Sequence, residues 1–187
     1  VLGIPPQAIS LGGKLGLAFG ARGHGGKSAA AAHYEPGQIV INLTKHAGPG
    51  SLAHEWLHAL DHHFARQSGN SGMISEGKNI GSLRPEMWAA WKTIQRTLRS
   101  SDLFKRSQEL DKAKSKAYYA TTVEMAARAF EKYIVDRLGE KQTNNDYLAN
   151  IELSSGAYPL DKEMQGQGIR KAYDDLFSTM EVKWTDD

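Results

Sequence analysis

Five consecutive residues, His54-Glu55-Trp56-Leu57-His58, constrain this chain more than any other feature. On a helix, a spacing of four carries both imidazoles to one face, about 6 Å apart along the axis, where both can reach one tetrahedral ion. Glu55 projects from the neighbouring face. There it can hold a water beside the ion and take its proton, which makes it a general base and not a ligand. The chemistry therefore demands a helix with one flank packed and the other open to substrate. The preceding residues agree: 39–43 read as a strand, and Gly48-Pro49-Gly50-Ser51 supplies a turn and an N-cap serine. A pattern this short also arises by chance on amphipathic helices, and the strand and turn before it argue against chance.

The metal helix is expected over residues 52–66, with Leu52, Trp56, Ala59, Leu60 and Phe64 on a core face and His54, His58 and Asp61 opposite. Before it, segments 29–35 and 38–43 flank the turn dipeptide Pro36-Gly37 and read as an antiparallel β-hairpin, with a further short strand near 15–20. The glycine-rich loop ending Gly26-Lys27-Ser28 is a poor phosphate cradle, because Ala21 stands where a P-loop needs glycine. Later helices are expected over 86–99, over 121–138 with Gly139 as C-cap, and over 161–180, and residues 100–117 read as polar and irregular. The expected class is α+β and mostly helical.

With 187 residues and no internal repeat, one domain spanning 1–187 is expected, and Val1 suggests a piece of a longer protein. The chain has no cysteine, so histidines and carboxylates must carry any metal chemistry, and the composition suits a cytoplasmic protein. No apolar run is long enough to predict a membrane span. Residues 92–116 hold eight Lys/Arg against three Asp/Glu, a stretch that reads first as a solvated face and second as a contact for nucleic acid or an acidic partner.

Two histidines leave zinc short of its usual three protein ligands. Asp61 and Phe64 stand where a metzincin needs glycine and a third histidine. Asp61 is better placed to accept a ligand histidine's free ring N–H. The remaining source is a second helix, as in the glutamate zincins. Glu124 and Glu131, seven apart, lie nearly on one face of a segment whose Ala126, Ala127 and Ala129 allow close approach. Glu124 is the expected ligand and Glu131 its supporting group, with exchanged roles as the alternative. The bland reading is a capping box made by Thr121 and Glu124.

Taken together, the run 38–43, the segment Gly50-Ser51-Leu52-Ala53-His54-Glu55-Trp56-Leu57-His58-Ala59-Leu60-Asp61 and the later Glu124-Met125-Ala126-Ala127-Arg128-Ala129-Phe130-Glu131 resemble the zincin-like metallopeptidase domains of phage and conjugative-element polyvalent proteins. The similarity is to the large polyvalent protein-associated domain of the first type, over roughly residues 14–182. It implies a small glutamate-zincin fold, a peptidase-type site and a setting in a mobile genetic element.

The function expected from these readings is zinc-dependent peptide hydrolysis. His54, His58 and Glu124 would hold Zn2+ and Glu55 would move the proton, with a protein or peptide as substrate. Tyr118, Tyr119, Tyr147, Arg128 and His46 are candidates for stabilising the oxyanion, and strand 38–43 is the expected edge for a substrate to pair with. The rival expectation is a metal-binding scaffold that recruits a protein or nucleic acid.

Overall fold

The computed structural model describes residues 1–20, 32–44, 48, 50–77 and 83–181, with residue 181 described by its main chain alone. After one helical turn, α1 (Pro6–Ile9), the chain lays down three short strands, β1 (Gly16–Phe19), β2 (Ala32–Glu35) and β3 (Val40–Leu43). Their spatial order is β1-β3-β2. β2 and β3 form the expected antiparallel hairpin, Ala32 opposite Leu43 and Glu35 opposite Val40. β1 adds parallel to β3, Gly16 opposite Val40. A Cβ at Gly16 would sit 3.0 Å from a Val40 methyl, so glycine fits the closest point of that pairing. The sheet is thus mixed, and β3 is its central strand. That corrects the expectation for segment 38–43: its main-chain groups are paired on both sides, and the outer edge beside the metal helix belongs to β2.

Helix α2 (Leu52–Gln67) runs one residue beyond the expected end. It buries Trp56, Leu57, Leu60 and Phe64 and packs on β2 and β3 on one side and on α5 (Thr122–Glu140) on the other. Ser51 does not cap it with its side chain. The free N–H of Ala53 is taken instead by the Leu148 carbonyl at 2.9 Å, and Gly50 exchanges main-chain bonds with Tyr147 and Asn150. Gly50 has φ +92, and an added Cβ would fall 2.7 Å from the Asn150 Cβ, so this junction specifies glycine.

The remaining helices are α3 (Pro85–Ser100), α4 (Asp102–Asp111), α6 (Asp161–Gly166) and α7 (Ile169–Glu181). α4 corrects the irregular reading of 100–117. Its Leu103 and Ser107, one turn apart, are fully buried, and Arg106 pairs with the buried Glu163 while also donating to the Gly156 and Tyr158 carbonyls. The expected terminal helix is divided at Gly168, which adopts φ +79. Gly139 lies inside α5, whose C-cap is Lys141. An aromatic cluster of Trp56, Phe130, Tyr133, Tyr173 and Phe177 joins α2, α5 and α7, with ring centroids 5.5 Å apart for Trp56 and Phe130 and 5.6 Å for Phe130 and Phe177. Each such pair adds about 0.5–1.5 kcal/mol beyond area burial. One contiguous set of buried apolar residues extends from Ile4 to Met180. Among the described residues, no helix is long and apolar enough to cross a membrane.

Candidate metal centre

α2 and α5 can approach closely because the facing positions are small: Ala59, Ala126, Ala127 and Ala129 are all fully buried. At the start of α5 the Thr121 hydroxyl accepts the Glu124 N–H at 3.4 Å, so half of the expected capping box exists. The Glu124 carboxylate does not complete it. It turns to α2, with Oε2 3.5 Å from His54 Nε2 and Oε1 3.4 Å from His58 Nε2. One ligand atom from each residue can be chosen so that all three lie within 4.8 Å of one another. Zinc bonds of about 2.0–2.1 Å at tetrahedral angles separate neighbouring ligand atoms by about 3.3 Å. The two carboxylate–imidazole distances match that edge, and two imidazoles with one carboxylate are a donor set that zinc accepts. The residues fit the ion.

The other nitrogen of His54 sets the surroundings of the two carboxylates apart. Nδ1 lies 3.0 Å from Oε2 of Glu131, which is 3% exposed. A neutral His54 that gives its Nδ1 proton to Glu131 would leave Nε2 bare for a metal. The Tyr158 hydroxyl hydrogen-bonds Glu131 in turn. Burial alone would oppose charging His54, but its hydrogen bonds with Glu124 and Glu131 outweigh that and raise its pKa to about 10. Glu124 shows the reciprocal effect: burial raises its pKa, yet the two imidazoles bring it far below the usual carboxylate range. The pocket therefore favours positive charge. A divalent ion supplies that charge while leaving both imidazoles neutral.

Asp61 does not take the part expected of it. Its carboxylate accepts the Ser75 N–H at 2.9 Å, the Ser75 hydroxyl and the Ile74 N–H, and it acts on His58 through its charge. Burial pushes its pKa up to about 6 against those bonds. Its structural consequence is to tie the turn at 74–76 beneath α2.

Glu55 is 7% exposed and lies beside both histidines. Burial pushes its pKa up and the Glu124 charge adds to this, while His54, His58 and a hydrogen bond from the Tyr34 main-chain N–H oppose. That N–H belongs to β2, so the edge strand of the sheet reaches the proposed base. The Tyr34 hydroxyl continues to His62 Nδ1 at 3.0 Å.

Of the five candidates for oxyanion stabilisation, two touch Glu124. Arg128 donates to it at 3.1 Å, and Tyr118 hydrogen-bonds it with a pKa pushed up to about 12, by burial first and then by the Glu124 charge. Tyr119 lies under the Arg128 guanidinium, 4.8 Å from its ring centroid. Tyr147 packs instead beside Phe19 on β1. His46 lies outside the described residues, as does the Gly-Lys-Ser loop at 23–28. Asp111 accepts the N–H groups of Tyr118, Tyr119 and Ala120 at 2.8–3.0 Å and so fixes the segment that carries both tyrosines. Tyr158, Ser75, Asp111 and Tyr34 escaped the sequence reading. None has a motif or periodicity that marks it, and each acts through a partner at least seven residues away in sequence.

Residues 110–183 match the family model of the large polyvalent protein-associated domain 1. The match covers less than half of the chain and a narrower span than the expected 14–182. It contains Glu124, Arg128, Glu131 and Tyr158 and begins well after the His54–His58 segment, which it does not include. No curated protein and no solved structure matches.

Proposed function

We propose that this chain is a zinc-dependent hydrolase of peptide bonds, in which His54, His58 and Glu124 hold the ion and Glu55 is the general base. The observation that carries the reading is a buried carboxylate, Glu55, beside a donor trio, His54, His58 and Glu124, whose ligand atoms lie within 4.8 Å of one another. A scaffold that only binds metal has no chemical use for such a base. A zinc ion held by these residues would supply a Lewis acid that acidifies water and polarises a carbonyl oxygen. Glu55 takes the proton on its carboxylate and later delivers it to the departing amine, and a pKa raised towards neutrality makes it a better match for both transfers. Tyr118 stays protonated below about pH 12, and its hydroxyl with the Arg128 guanidinium offers hydrogen bonds beside Glu124 where an oxygen gains charge. An extended peptide has the outer edge of β2 to pair with, one main-chain group from Glu55.

The rival reading through residues 92–116 is weakened in part: Arg106 is committed to Glu163, and Lys105 and Lys112 pair with Asp102 and Glu109, while Lys92, Arg96, Arg99, Lys114 and Lys116 form no ion pair among the described residues. The match to a polyvalent protein-associated domain supports a setting in a phage or conjugative element.

The test compares the zinc-loaded chain with Glu55→Gln on a whole proteome, with new termini read by mass spectrometry. We expect about one zinc per chain in both proteins and a fall in turnover of at least about a hundredfold in the variant. Cleavage that persists at full rate in the variant, or in protein stripped of transition metal, would sink the proposal.

A further inference from the structure

Beyond the candidate metal centre, α2 carries two polar groups, His62 and Arg66, in line with Glu55. Glu55, His62 and Arg66 are spaced by seven and eleven residues, which places them on one stripe of the helix. The stripe faces β2 and its turn. His62 takes the Tyr34 hydroxyl, and His62 and Arg66 together line two adjoining grooves. One groove, about 430 Å3, is closed by Pro36 and Gly37 of the hairpin turn. The other, about 220 Å3, is completed by Lys14, Tyr34 and His63. Both are rimmed by cationic and imidazole groups. Among the described residues, no Asp or Glu lines either groove, and neither Lys14 nor Arg66 has an ion-pair partner. His63 feels both positive charges, and Tyr34 and His62 feel that of Arg66. Other surface cations such as Lys105, Lys112, Arg170 and Lys171 are paired with carboxylates. A cluster of one sign beside a substrate edge raises the local concentration of ligands of the opposite sign.

We propose that this patch is a subsite for acidic side chains of a polypeptide laid along the outer edge of β2. The proposal rests on the peptide reading of the metal centre for its geometry, since Tyr34 touches Glu55 through its main chain and His62 through its hydroxyl. The distance sets the register. His62 and Arg66 lie about 10 Å and about 16 Å along the helix from Glu55. An extended peptide advances about 3.3 Å per residue. The preferred Asp or Glu therefore stands about three to five positions from the scissile bond, on one side of it only.

The experiment measures binding first, so that it does not depend on turnover. The zinc-loaded Glu55→Gln chain is titrated into fluorescein-labelled peptides carrying six consecutive glutamates, six glutamines or six lysines, and into a single-stranded oligonucleotide of matched charge, with anisotropy as the readout. We expect the glutamate peptide to bind at least about tenfold tighter than the glutamine peptide, with the advantage weakening as salt rises. Lys14→Ala with Arg66→Ala should remove most of that advantage, Arg66→Lys should keep it, and Lys14→Glu with Arg66→Glu should transfer it to the lysine peptide. Lys14 and Arg66 are exposed, so these variants should fold, which circular dichroism checks. Equal binding of glutamate and glutamine peptides, or an advantage unchanged in the double alanine variant, overturns the proposal. Oligonucleotide binding that is tighter than the glutamate peptide and lost with Arg66 overturns it in favour of a nucleic-acid surface. Cleavage-site mapping separates this inference from its premise: cleavage without an acidic preference sinks the subsite alone, and acidic-peptide binding without any cleavage sinks the hydrolase alone.

Discussion

The two helices that build the candidate metal centre differ in how their residues acquire roles. On α2 the roles are local. His54 and His58 share a face because the helix repeats every 3.6 residues, and Glu55 is displaced from them for the same reason. On α5 they are relational. Glu124 and Glu131 are similar side chains on one face, and they become different only because one meets His54 Nε2 and the other His54 Nδ1. A local role can be read from spacing, whereas a relational one needs the partner helix in place. The difference also predicts how each residue should respond to change.

Glu124→Gln gives the largest effect. If Glu124 is a ligand, its loss removes the one charged oxygen from an ion with only three protein donors, and zinc affinity should fall by about a hundredfold or more, measured by competition with a chelating dye. If its cap were its only part, glutamine would serve nearly as well, and the cost would be about 1 kcal/mol of stability or less with zinc affinity unchanged. The second outcome would erase the distinction between the two carboxylates.

Glu131→Gln should come next. Loss of the charge behind His54 Nδ1 is expected to weaken zinc by about tenfold to a hundredfold while leaving its stoichiometry at one. An effect larger than that of Glu124→Gln would exchange their roles. Tyr158→Phe removes only the hydroxyl that supports Glu131, so its effect should be a few-fold, below about tenfold. Equal effects of the two changes would mean that Tyr158 acts directly on the ion.

A fourth effect is one of pH. In protein treated with a chelator, His54 gains a proton on folding, because its folded pKa is about 10 against an ordinary 6.5. That contribution is complete below about pH 6.5 and is lost as pH rises through about 10. The melting temperature of the chelated protein should therefore fall between pH 7 and 10, a window above the pKa of about 6 at Asp61. Zinc-loaded protein should lack this fall, because its imidazoles are already neutral. Glu131→Gln should flatten the slope, and an unchanged slope would show that α5 does not hold the His54 charge.

The same contrast explains how much the sequence discloses. The helical class, the hairpin, the His54/His58 pair and the approach of Glu124 follow from local spacing and from small residues at 126, 127 and 129. What the sequence hides is set at long range. β3 is central because β1 returns to pair with it. α4 looked irregular because the polar run from Lys105 to Lys116 masks its short buried face, and its anchor Glu163 lies 57 residues beyond Arg106. Asp61 sits on the metal-facing side of the wheel, but Ser75 captures it. A wheel assigns a face and leaves the partner open.

The double hold on His54 has a consequence for which changes in length the chain can tolerate. Glu131 stands seven positions after Glu124, and a single imidazole is read by both. One residue inserted or deleted between them rotates everything that follows by about 100° around α5 and shifts it by about 1.5 Å. Glu124 and Glu131 could not then face His54 together. After Glu131 the same event would move neither carboxylate relative to the ring. The interval 124–131 should therefore behave as a fixed ruler in any functional variant, intolerant of indels even where its side chains accept substitution, and an insertion scan along α5 would mark its ends.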